Sequence, residues 1–416
     1  MTHMGRALLA LALCLALLCG CWDKHELEDN IFVIMLGLDK TGEDELLVSV
    51  VFPITQTNMG GAESQGDYTI ISARAPTVAQ AMSLFGASLA GPLSLFSTKT
   101  LVISEELARD DMLRHIFSGG RYEQMRNNTS VVVARGSAAD FIAARIENPA
   151  IDPLRSEDLL LEQANFNASY RPMQLLDFMV SLREQNMDAA AILGGVVPPP
   201  DEEENAPAAG AGEGATGTQA PPTPDTPTED SFRAGFLPGE APVGFDNRAQ
   251  ISGLAVFSGQ RMVGTLDSFE TQTLNLLLRS RTRKILSLPD PDSDDDVIIV
   301  AIRPTRAARI RGYFADDTPT FDITLNLRCS VEHQRAQSQL EGDAIEQYVT
   351  QAVSENIEAL LHKLQHEYHA DLLGLGGKFV RNFLTVPAWE AYNWRERYPD
   401  AALNVHLNIH MERTGV

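Results

Sequence analysis

Three histidines spaced by about one helical turn form the arrangement in this sequence that comes nearest to a metal site. His362, His366 and His369 fall at positions i, i+4 and i+7 of a predicted helix, and two histidines one turn apart can bind zinc. A zincin requires glutamate directly after the first histidine, where this chain has Lys363, and the inverted motif requires it at Gln365. Since the histidines lie opposite the apolar face of the helix, we interpret them as a solvated polar face.

An acidic run and a glycine cluster are the next candidates. Asp290, Asp292 and residues 294–296 resemble the start of a calcium loop, but the sixth position, which should be glycine, is Asp295. We therefore interpret the run as a solvated turn. The cluster 374–377 contains three glycines, yet it follows a predicted helix, whereas a dinucleotide-binding fingerprint follows a strand.

Nucleophiles and aromatic residues complete the candidate chemistry. The sequence contains no G-x-S-x-G motif, and Cys329, which lies far from the N-terminal cysteines, falls within a predicted strand. Trp389, Trp394 and Tyr398 are close in sequence, and we interpret them as core packing rather than as a ligand platform. The sequence therefore predicts no catalytic residue, no metal ligand and no cofactor, and so no enzyme.

The elements that surround these residues alternate between strands and helices. This pattern predicts an α+β fold, with two or three small mixed α/β domains built on short sheets with packed helices. In the N-terminal half we predict a hairpin at 31–53, strands at 68–73, 100–103 and 130–134, helices beginning near Thr77, Ser104 and Ser137, and mainly helix at 154–193. In the C-terminal half we predict a hairpin at 251–266, a helix at 269–283, strands at 297–302 and 320–329, a helix at 343–372 ended by Gly374, and a half-buried strand at 404–411.

The N-terminus has the pattern of a lipoprotein signal. Residues 7–19 are uninterruptedly apolar and follow Arg6; they are too few to cross a bilayer, which takes about 20 residues, but they suit a signal peptide. The junction 18–21, Leu-Cys-Gly-Cys, resembles a bacterial lipobox, in which the cysteine thiolate accepts a diacylglyceryl group. We expect cleavage between Gly20 and Cys21, which leaves Cys21 acylated; an ordinary secretory signal is the alternative.

Composition constrains the rest of the chain. With 33 basic and 56 acidic residues the formal net charge is −23, which disfavours a nucleic-acid partner because phosphate binding depends on Lys and Arg. Residues 198–230 hold eight prolines, eight acidic residues and no basic one, a composition that buries too little apolar surface to fold. We predict a lipoprotein signal peptide at 1–20, an N-terminal α/β region at 21–197, a disordered acidic linker rich in proline and glycine at 198–230, and a C-terminal α/β domain at 231–416.

Several short segments follow one another in a recognisable order. They are 21–23 (CWD) with Glu26 and Leu27, 36–40 (LGLDK), 99–109 (KTLVISEELAR), 123–126 (EQMR) before 131–136 (VVVARG), 253–257 (GLAVF), and 371–376 (DLLGLG) with Pro387, Trp389, Trp394, Tyr398 and Pro399. After a lipobox, this order resembles the Ger(x)C family, the lipoprotein C subunits of spore germinant receptors. The resemblance covers nearly all of the chain beyond the signal peptide except the linker.

The resemblance implies a non-enzymatic subunit that is tethered to the outer face of the inner spore membrane through Cys21. It would contact the lipid bilayer through that anchor and assemble with a membrane-embedded A subunit and a multi-pass, transporter-like B subunit. The complex would sense nutrients and trigger germination. Members of the family are described as α/β proteins of two or three small domains without a known enzymatic activity.

Two other classes of protein are the alternatives. A solute-binding lipoprotein of a membrane importer would need two similar lobes around an aromatic and charged cleft, and the sequence shows no duplicated α/β lobes. A cell-wall hydrolase would need a carboxylate pair or a metal site, and no spacing in the sequence supports one. A ligand-binding cleft in the folded part would favour the solute-binding alternative.

Overall fold

Most of the described residues lie after the expected lipidation site. The computed structural model describes residues 3–5, 30–54, 68–89, 91–110, 125–147, 155, 163–164, 168–198, 235–241, 248–279, 282–290, 293–333 and 343–412. Gly20, Cys21 and the expected linker beyond residue 198 lie outside these residues. Within them, no helix has the length and apolar character needed to cross a membrane.

A large mixed sheet occupies the first half of the fold. Its strands are β2 (Met35–Lys40), β3 (Leu46–Pro53), β4 (Tyr68–Ala75), β6 (Thr100–Ser104), β7 (Ser130–Ala134), β8 (Ala190–Val196), β9 (Ala249–Ser258) and β10 (Arg261–Leu266). Strands β1 (Ile31–Phe32) and β5 (Leu93–Ser94) form a separate two-stranded sheet. The order across the large sheet is β10-β9-β8-β7-β6-β2-β3-β4. The central strands β8, β7, β6 and β2 are parallel, and antiparallel strands flank them on both sides.

Among the described residues, the helices that accompany this sheet are α1 (Val78–Ser88), α2 (Glu105–Ala108), α3 (Ala138–Ile146) and α4 (Leu175–Arg183). The first three begin where the sequence supplies a capping hydroxyl. Thr77, Ser104 and Ser137 each accept a hydrogen bond from the backbone N–H three residues later, at 3.2, 3.4 and 3.2 Å. These caps confirm the predicted helix starts.

Apolar side chains cover both faces of the large sheet. Along β7, Val131 and Val133 belong to one buried cluster and Val132 to the other, because side chains alternate across a strand. The cluster on the second face also contains Phe141 and Ile142 of α3. A sheet that is buried on both faces reads as continuous apolar runs in sequence, as β6 and β7 do here.

A second sheet and its helices form the other half of the fold. The strands are β11 (Lys284–Asp290), β12 (Ser293–Pro304), β13 (Arg309–Ala315), β14 (Thr318–His333) and β15 (Ala402–Met411), and the helices are α5 (Ser268–Leu278), α6 (Asp343–His362), α7 (Leu375–Phe379), α8 (Val386–Tyr392) and α9 (Trp394–Arg397). The long strand β14 pairs in parallel with β15 on one side and antiparallel with β12 and β13 on the other. The described elements confirm a mixed α+β fold.

The two halves share strands across the expected linker. Strand β9 pairs antiparallel with β8, from Ala190 opposite Val256 to Val196 opposite Ala249. The hairpin of β9 and β10, which the sequence predicts correctly, therefore completes the first sheet, although it lies beyond residue 231 in the expected C-terminal domain.

Three sequence-based predictions of secondary structure are wrong in part. The segment 154–193 was expected to be mainly helix, but the described helix there is α4, and β8 follows it from Ala190; a short apolar run does not distinguish helix from strand. The helix predicted at 269–283 ends at Leu278, and β11 begins at Lys284. The helix predicted at 343–372 ends in a π-turn at Lys363–Glu367, and Gly374 instead precedes α7.

Candidate functional site

Two aspartates join the first half of the fold to the second. Asp188 lies between α4 and β8, and Asp371 follows the π-turn after α6. The Asp188 N–H donates to the Asp371 carbonyl at 3.0 Å, and the Asp371 N–H donates to Asp188 Oδ2 at 2.9 Å. The Gly259 N–H, in the turn between β9 and β10, donates to Asp188 Oδ1 at 2.9 Å. We call Asp188, Asp371, Trp394 and Arg395 the carboxylate clamp.

Arg395 provides the cation of the clamp. Its Nε and Nη2 lie 3.1 and 3.0 Å from Asp188 Oδ1, and Nη2 also donates to the Glu184 carbonyl at 3.1 Å. The Asp188 side chain is almost fully buried, so this charge-assisted pair is protected from solvent on one side. One arginine of α9 therefore holds the chain between α4 and β8 at two points.

Asp371 has no cation of its own and is held by N–H donors. Its Oδ1 accepts from the Leu375 N–H at 2.9 Å, and its Oδ2 accepts from the Gly376 N–H at 2.8 Å and from Trp394 Nε1 at 3.1 Å. Burial raises the pKa of Asp371 to about 6, outweighing these three donors, and the nearby Asp188 charge acts in the same direction. The carboxylate organises the start of α7 and fixes the indole.

The glycine cluster 374–377 is required by close packing. Gly374 has φ of 66°, a left-handed conformation that glycine adopts without strain. A Cβ at Gly376 would lie 2.5 Å from Trp394 Cδ1 and 3.0 Å from the Asn186 carbonyl oxygen. The Gly377 N–H donates to that same carbonyl at 2.9 Å. The cluster therefore lets α7 approach the 184–188 segment, and the N–H groups of Leu375, Gly376 and Gly377 donate to acceptors within the fold.

The aromatic residues near the C-terminus are buried, as the sequence predicts. Trp394 and Tyr398 are almost fully buried and pack at 5.9 Å between ring centroids, and Trp394 lies 5.5 Å from Phe379. Trp389 Nε1 donates to Asn186 Oδ1 at 3.0 Å. The aromatic cluster therefore forms core and, through Asn186, also contacts the first half of the fold.

The 36–40 segment also has a structural role. Asp39 Oδ1 and Oδ2 accept hydrogen bonds from the N–H groups of Ala138 and Ala139 at 2.6 and 3.0 Å. This carboxylate on strand β2 therefore caps the start of helix α3. Burial raises the pKa of Asp39. A Cβ at Gly37 would lie 2.6 Å from Ile142 Cδ1, so a larger residue here would force the end of that side chain to shift.

The histidine candidates are exposed, and the acidic candidates are described only in part. The rings of His362 and His366 lie 4.7 Å apart, and these histidines and His369 are exposed. Among the described residues, no three His, Cys, Asp or Glu side chains are placed to hold a metal ion. Asp290 contradicts the expectation of a solvated turn, because it is buried at the end of β11; Asp292 lies outside the described residues.

Two buried reactive groups remain. Burial raises the pKa of Cys329 to about 12, so its thiol is held neutral inside β14. Lys284 at the start of β11 is buried, its Nζ donates to Thr273 Oγ1 at 2.7 Å, and Nζ lies 3.3 Å from the Phe269 ring centroid. Burial lowers the pKa of Lys284 to about 7. The sequence prediction missed this lysine, although the alternation of Lys284 with Leu286 could have placed it on the inner face of a strand.

A shallow surface pocket lies beside the clamp. Its volume is about 250 Å³, and its lining includes Arg171, Met173, Asp177, Glu184 and Met187. Burial and the nearby Arg279 charge lower the pKa of Arg171. Ligand pockets typically measure about 300–1,000 Å³ and enclose most of the ligand. This open pocket is smaller and does not favour the solute-binding alternative.

Two family models match the chain, one on each side of the expected linker. The model described as "Spore germination protein N-terminal domain" matches residues 23–193. The model described as "Spore germination B3/ GerAC like, C-terminal" matches residues 252–415. Together they cover well over half of the chain.

Three proteins of Bacillus subtilis (strain 168) are similar in sequence. YfkR, whose name assigns it provisionally to spore germination, is 23% identical in an alignment 424 residues long that covers 99% of this chain and 97% of that protein. Spore germination protein B3 is 26% identical in an alignment 149 residues long that covers 34% of this chain and 38% of that protein. Spore germination protein KC is 25% identical in an alignment 130 residues long that covers 30% of this chain and 32% of that protein.

One solved structure is similar in three dimensions. The crystal structure of the GerBC protein matches with a TM-score of 0.47 and 16% sequence identity, over 90% of this chain and 96% of that one.

Proposed function

This chain belongs to the GerAC-like family of spore germination proteins, and from that membership we propose that it is a lipid-anchored, non-enzymatic subunit of a spore germinant receptor. The observation that carries the proposal is the order of the two family domains, at 23–193 and 252–415, over nearly all of the chain beyond the lipobox. In this role the protein supports nutrient-triggered germination through contacts with membrane-embedded A and B subunits.

The proposed anchor is Cys21, with cleavage after Gly20. The match to the N-terminal family domain begins at residue 23, two residues after this cysteine, so an acyl group on Cys21 would tether the chain just before that domain. One acyl chain binds a membrane only marginally, whereas two or three give stable attachment. The proposed location is therefore the outer face of the inner spore membrane.

The contacts of the described residues support a non-enzymatic role. Asp188 and Asp371 are occupied by backbone amides, the indole and Arg395, and the thiol of Cys329 is buried and held neutral. These groups stabilise the fold instead of facing a cleft where a substrate could enter.

The carboxylate clamp suggests how such a subunit would work. It joins the segment between α4 and β8 to the helices after β14, and β9 extends the first sheet, so both family domains are attached to one another at two places. A partner that binds either domain would then act on both. We propose the boundaries 21–197 and 231–416 for the two regions, with β9 and β10 shared between them.

The proposal is tested with tagged protein in spores. Cys21→Ala is compared with wild type and with Cys19→Ala, a matched control that removes a neighbouring thiol but leaves the lipobox cysteine intact. Detergent extracts of spore membranes are probed for co-purifying multi-pass subunits, and nutrient germination is measured in parallel. We expect wild type and Cys19→Ala to co-purify with these subunits, and Cys21→Ala to be lost from membranes with impaired germination. If the tagged wild-type protein purifies without any multi-pass subunit, or with components of an importer, the receptor role is refuted.

A further inference from the structure

One end of the large sheet collects the segments nearest to the proposed anchor. The Ile31 N–H donates to the Pro92 carbonyl at 3.0 Å, the Lys99 N–H donates to Ile34 O at 2.8 Å, and the Ser130 N–H donates to Lys99 O at 2.8 Å. The starts of β2, β6 and β7 therefore lie side by side, and β1, which precedes β2, lies beside β5. The stretch from Cys21 to Asn30 spans nine residues, so at most about 30 Å of extended chain separates this end from the proposed acyl group.

Large apolar side chains are exposed at this same end. Phe96 is 55% exposed, and Leu176 and Ile54 are 48% and 38% exposed. The Arg126 guanidinium lies 4.2 Å from the Phe96 ring centroid. The Leu176 N–H donates to the carbonyl of Asn127, next to Arg126, at 3.2 Å. The Ile34 N–H donates to Val51 O, which brings the end of β3 and Ile54 to the same place. We call Ile54, Phe96, Arg126 and Leu176 the anchor-side edge.

The charge at the anchor-side edge differs from that of the whole chain. The segments 30–35, 51–54, 92–100, 125–130 and 172–176 contain Lys99 and Arg126 and no acidic residue, in a chain with 56 acidic residues. Acidic residues border these segments at Asp29, before Asn30, and at Asp177, the next residue of α4. An apolar surface with basic side chains and without carboxylates is complementary to the headgroup region of an anionic bilayer.

We propose that the anchor-side edge lies against the lipid surface, with Phe96 and Leu176 entering the interface and Arg126 contacting lipid phosphate. This inference rests on the proposed acylation of Cys21, which would hold the edge near the bilayer at high effective concentration. Contacts that bind a free protein only weakly are then sufficient to orient the tethered one.

The test measures the depth of single side chains in a bilayer. Phe96→Cys is labelled with an environment-sensitive fluorophore in the full chain, expressed with its own leader and reconstituted in vesicles of phosphatidylcholine and phosphatidylglycerol. Ile285→Cys is the matched control, because Ile285 on β11 is 53% exposed, as Phe96 is, but lies in the second sheet. We expect brominated lipids to quench the label at 96 and not at 285.

A second variant checks the contribution of the ring. With unlabelled protein, Phe96→Ser is expected to lower partitioning to vesicles about tenfold when acylation is absent, since the transfer of one half-exposed phenylalanine is lost, and Ile285→Ser is expected to have no effect. Equal partitioning of both variants would overturn the inference.

The outcomes separate the edge from the anchor. If the protein floats with vesicles but both labels stay unquenched, the anchor stands and the lipid-facing edge is refuted. If mass spectrometry finds no acyl group on Cys21, vesicles are added to the soluble protein; quenching at 96 then still supports the edge, and its absence refutes it. If the label at 96 is shielded from water only when multi-pass subunits co-purify, and lipids do not quench it, the edge binds a protein partner and the inference is refuted.

Discussion

Asp188 and Asp371, which are 183 residues apart in sequence, each donate a backbone N–H to the other, one to a carbonyl and one to a carboxylate. This reciprocal contact connects the segment before β8 to the segment before α7. Both carboxylates then accept further donors, from Gly259 and Arg395 on one side and from Leu375, Gly376 and Trp394 on the other. The clamp is therefore where the stability of the two halves should be coupled.

Replacing Asp371 by asparagine should weaken the clamp. The amide has one acceptor oxygen, while the carboxylate accepts N–H donors on both oxygens, so at least one buried donor loses its partner. We expect the free energy of unfolding to fall by about 1–3 kcal/mol at neutral pH. Urea unfolding followed by tryptophan fluorescence measures this; an unchanged midpoint would contradict the role assigned to Asp371.

The pH dependence of the clamp follows from the pKa of Asp371, which burial raises to about 6 from its ordinary value of 3.8. The unfolded state releases this proton at lower pH than the folded state, so the stabilising contribution is present below about 4 and is lost as pH rises through about 6. We expect wild type to gain stability relative to Asp371→Asn as pH is lowered from 7 to 5. Because both chains share all other carboxylates, the difference between their unfolding curves isolates this group; a constant difference would contradict the shift.

Arg395 should be more important than its neighbour on the same helix. Arg395→Ala removes the bonds to Asp188 and to the Glu184 carbonyl and leaves a buried carboxylate without its cation. Since the guanidinium is partly exposed, we expect a loss of about 1–3 kcal/mol. Arg397→Ala is the control, because Arg397 is exposed, and it should change stability by less than about 0.5 kcal/mol. If chemical denaturation shows equal losses of stability for Arg395→Ala and Arg397→Ala, the role assigned to Arg395 in the clamp is refuted.

Adjacent glycines provide a test of packing. In Gly376→Ala the new methyl group would meet Trp394 Cδ1 at 2.5 Å, whereas in Gly377→Ala the nearest atom, the Asn186 carbonyl oxygen, is 3.7 Å away. We expect the first substitution to cost about 1–3 kcal/mol and the second to be nearly neutral. Thermal unfolding of the two variants should therefore give clearly different midpoints, and similar midpoints would show that α7 does not pack as described.

Lys284 should destabilise the fold near neutral pH. Burial lowers its pKa to about 7 from 10.5, so the cost of burying the amine is fully present below about 7 and is relieved as pH rises toward 10. Lys284→Met keeps the length and removes the charge, and we expect it to raise the free energy of unfolding by about 1–3 kcal/mol near pH 7.

The advantage of Lys284→Met should shrink as pH is raised. Lys378→Met serves as its control, because Lys378 is exposed and its substitution should have no comparable effect. Denaturant unfolding at several pH values measures both; a destabilised Lys284→Met would mean that the bond to Thr273 outweighs the cost of burial.

Local signals in the sequence were sufficient to predict most elements. Capping hydroxyls at Thr77, Ser104 and Ser137 and the alternation along β15 act within a few residues, so they can be recognised without the fold. Strand β8 could not be recognised from local signals, because its apolar run fits either a helix or a strand. Only its pairing with β7 and β9 decides between them. Strand β13 was not predicted because it carries no clear apolar pattern, and it is defined by its pairing with β14.

By itself, the sequence determined the α+β class and the order of family segments, and it predicts a lipobox at Cys21, because each depends on residue type and short spacing. It also placed Trp389, Trp394 and Tyr398 in the core. Only the tertiary structure decided what the polar residues of those segments do: Asp39 caps a helix about 100 residues away, and Asp371 meets Asp188 across 183 residues. Such contacts depend on how sheets and helices pack, which no local pattern encodes, so the clamp and the anchor-side edge became visible only once the strands were paired.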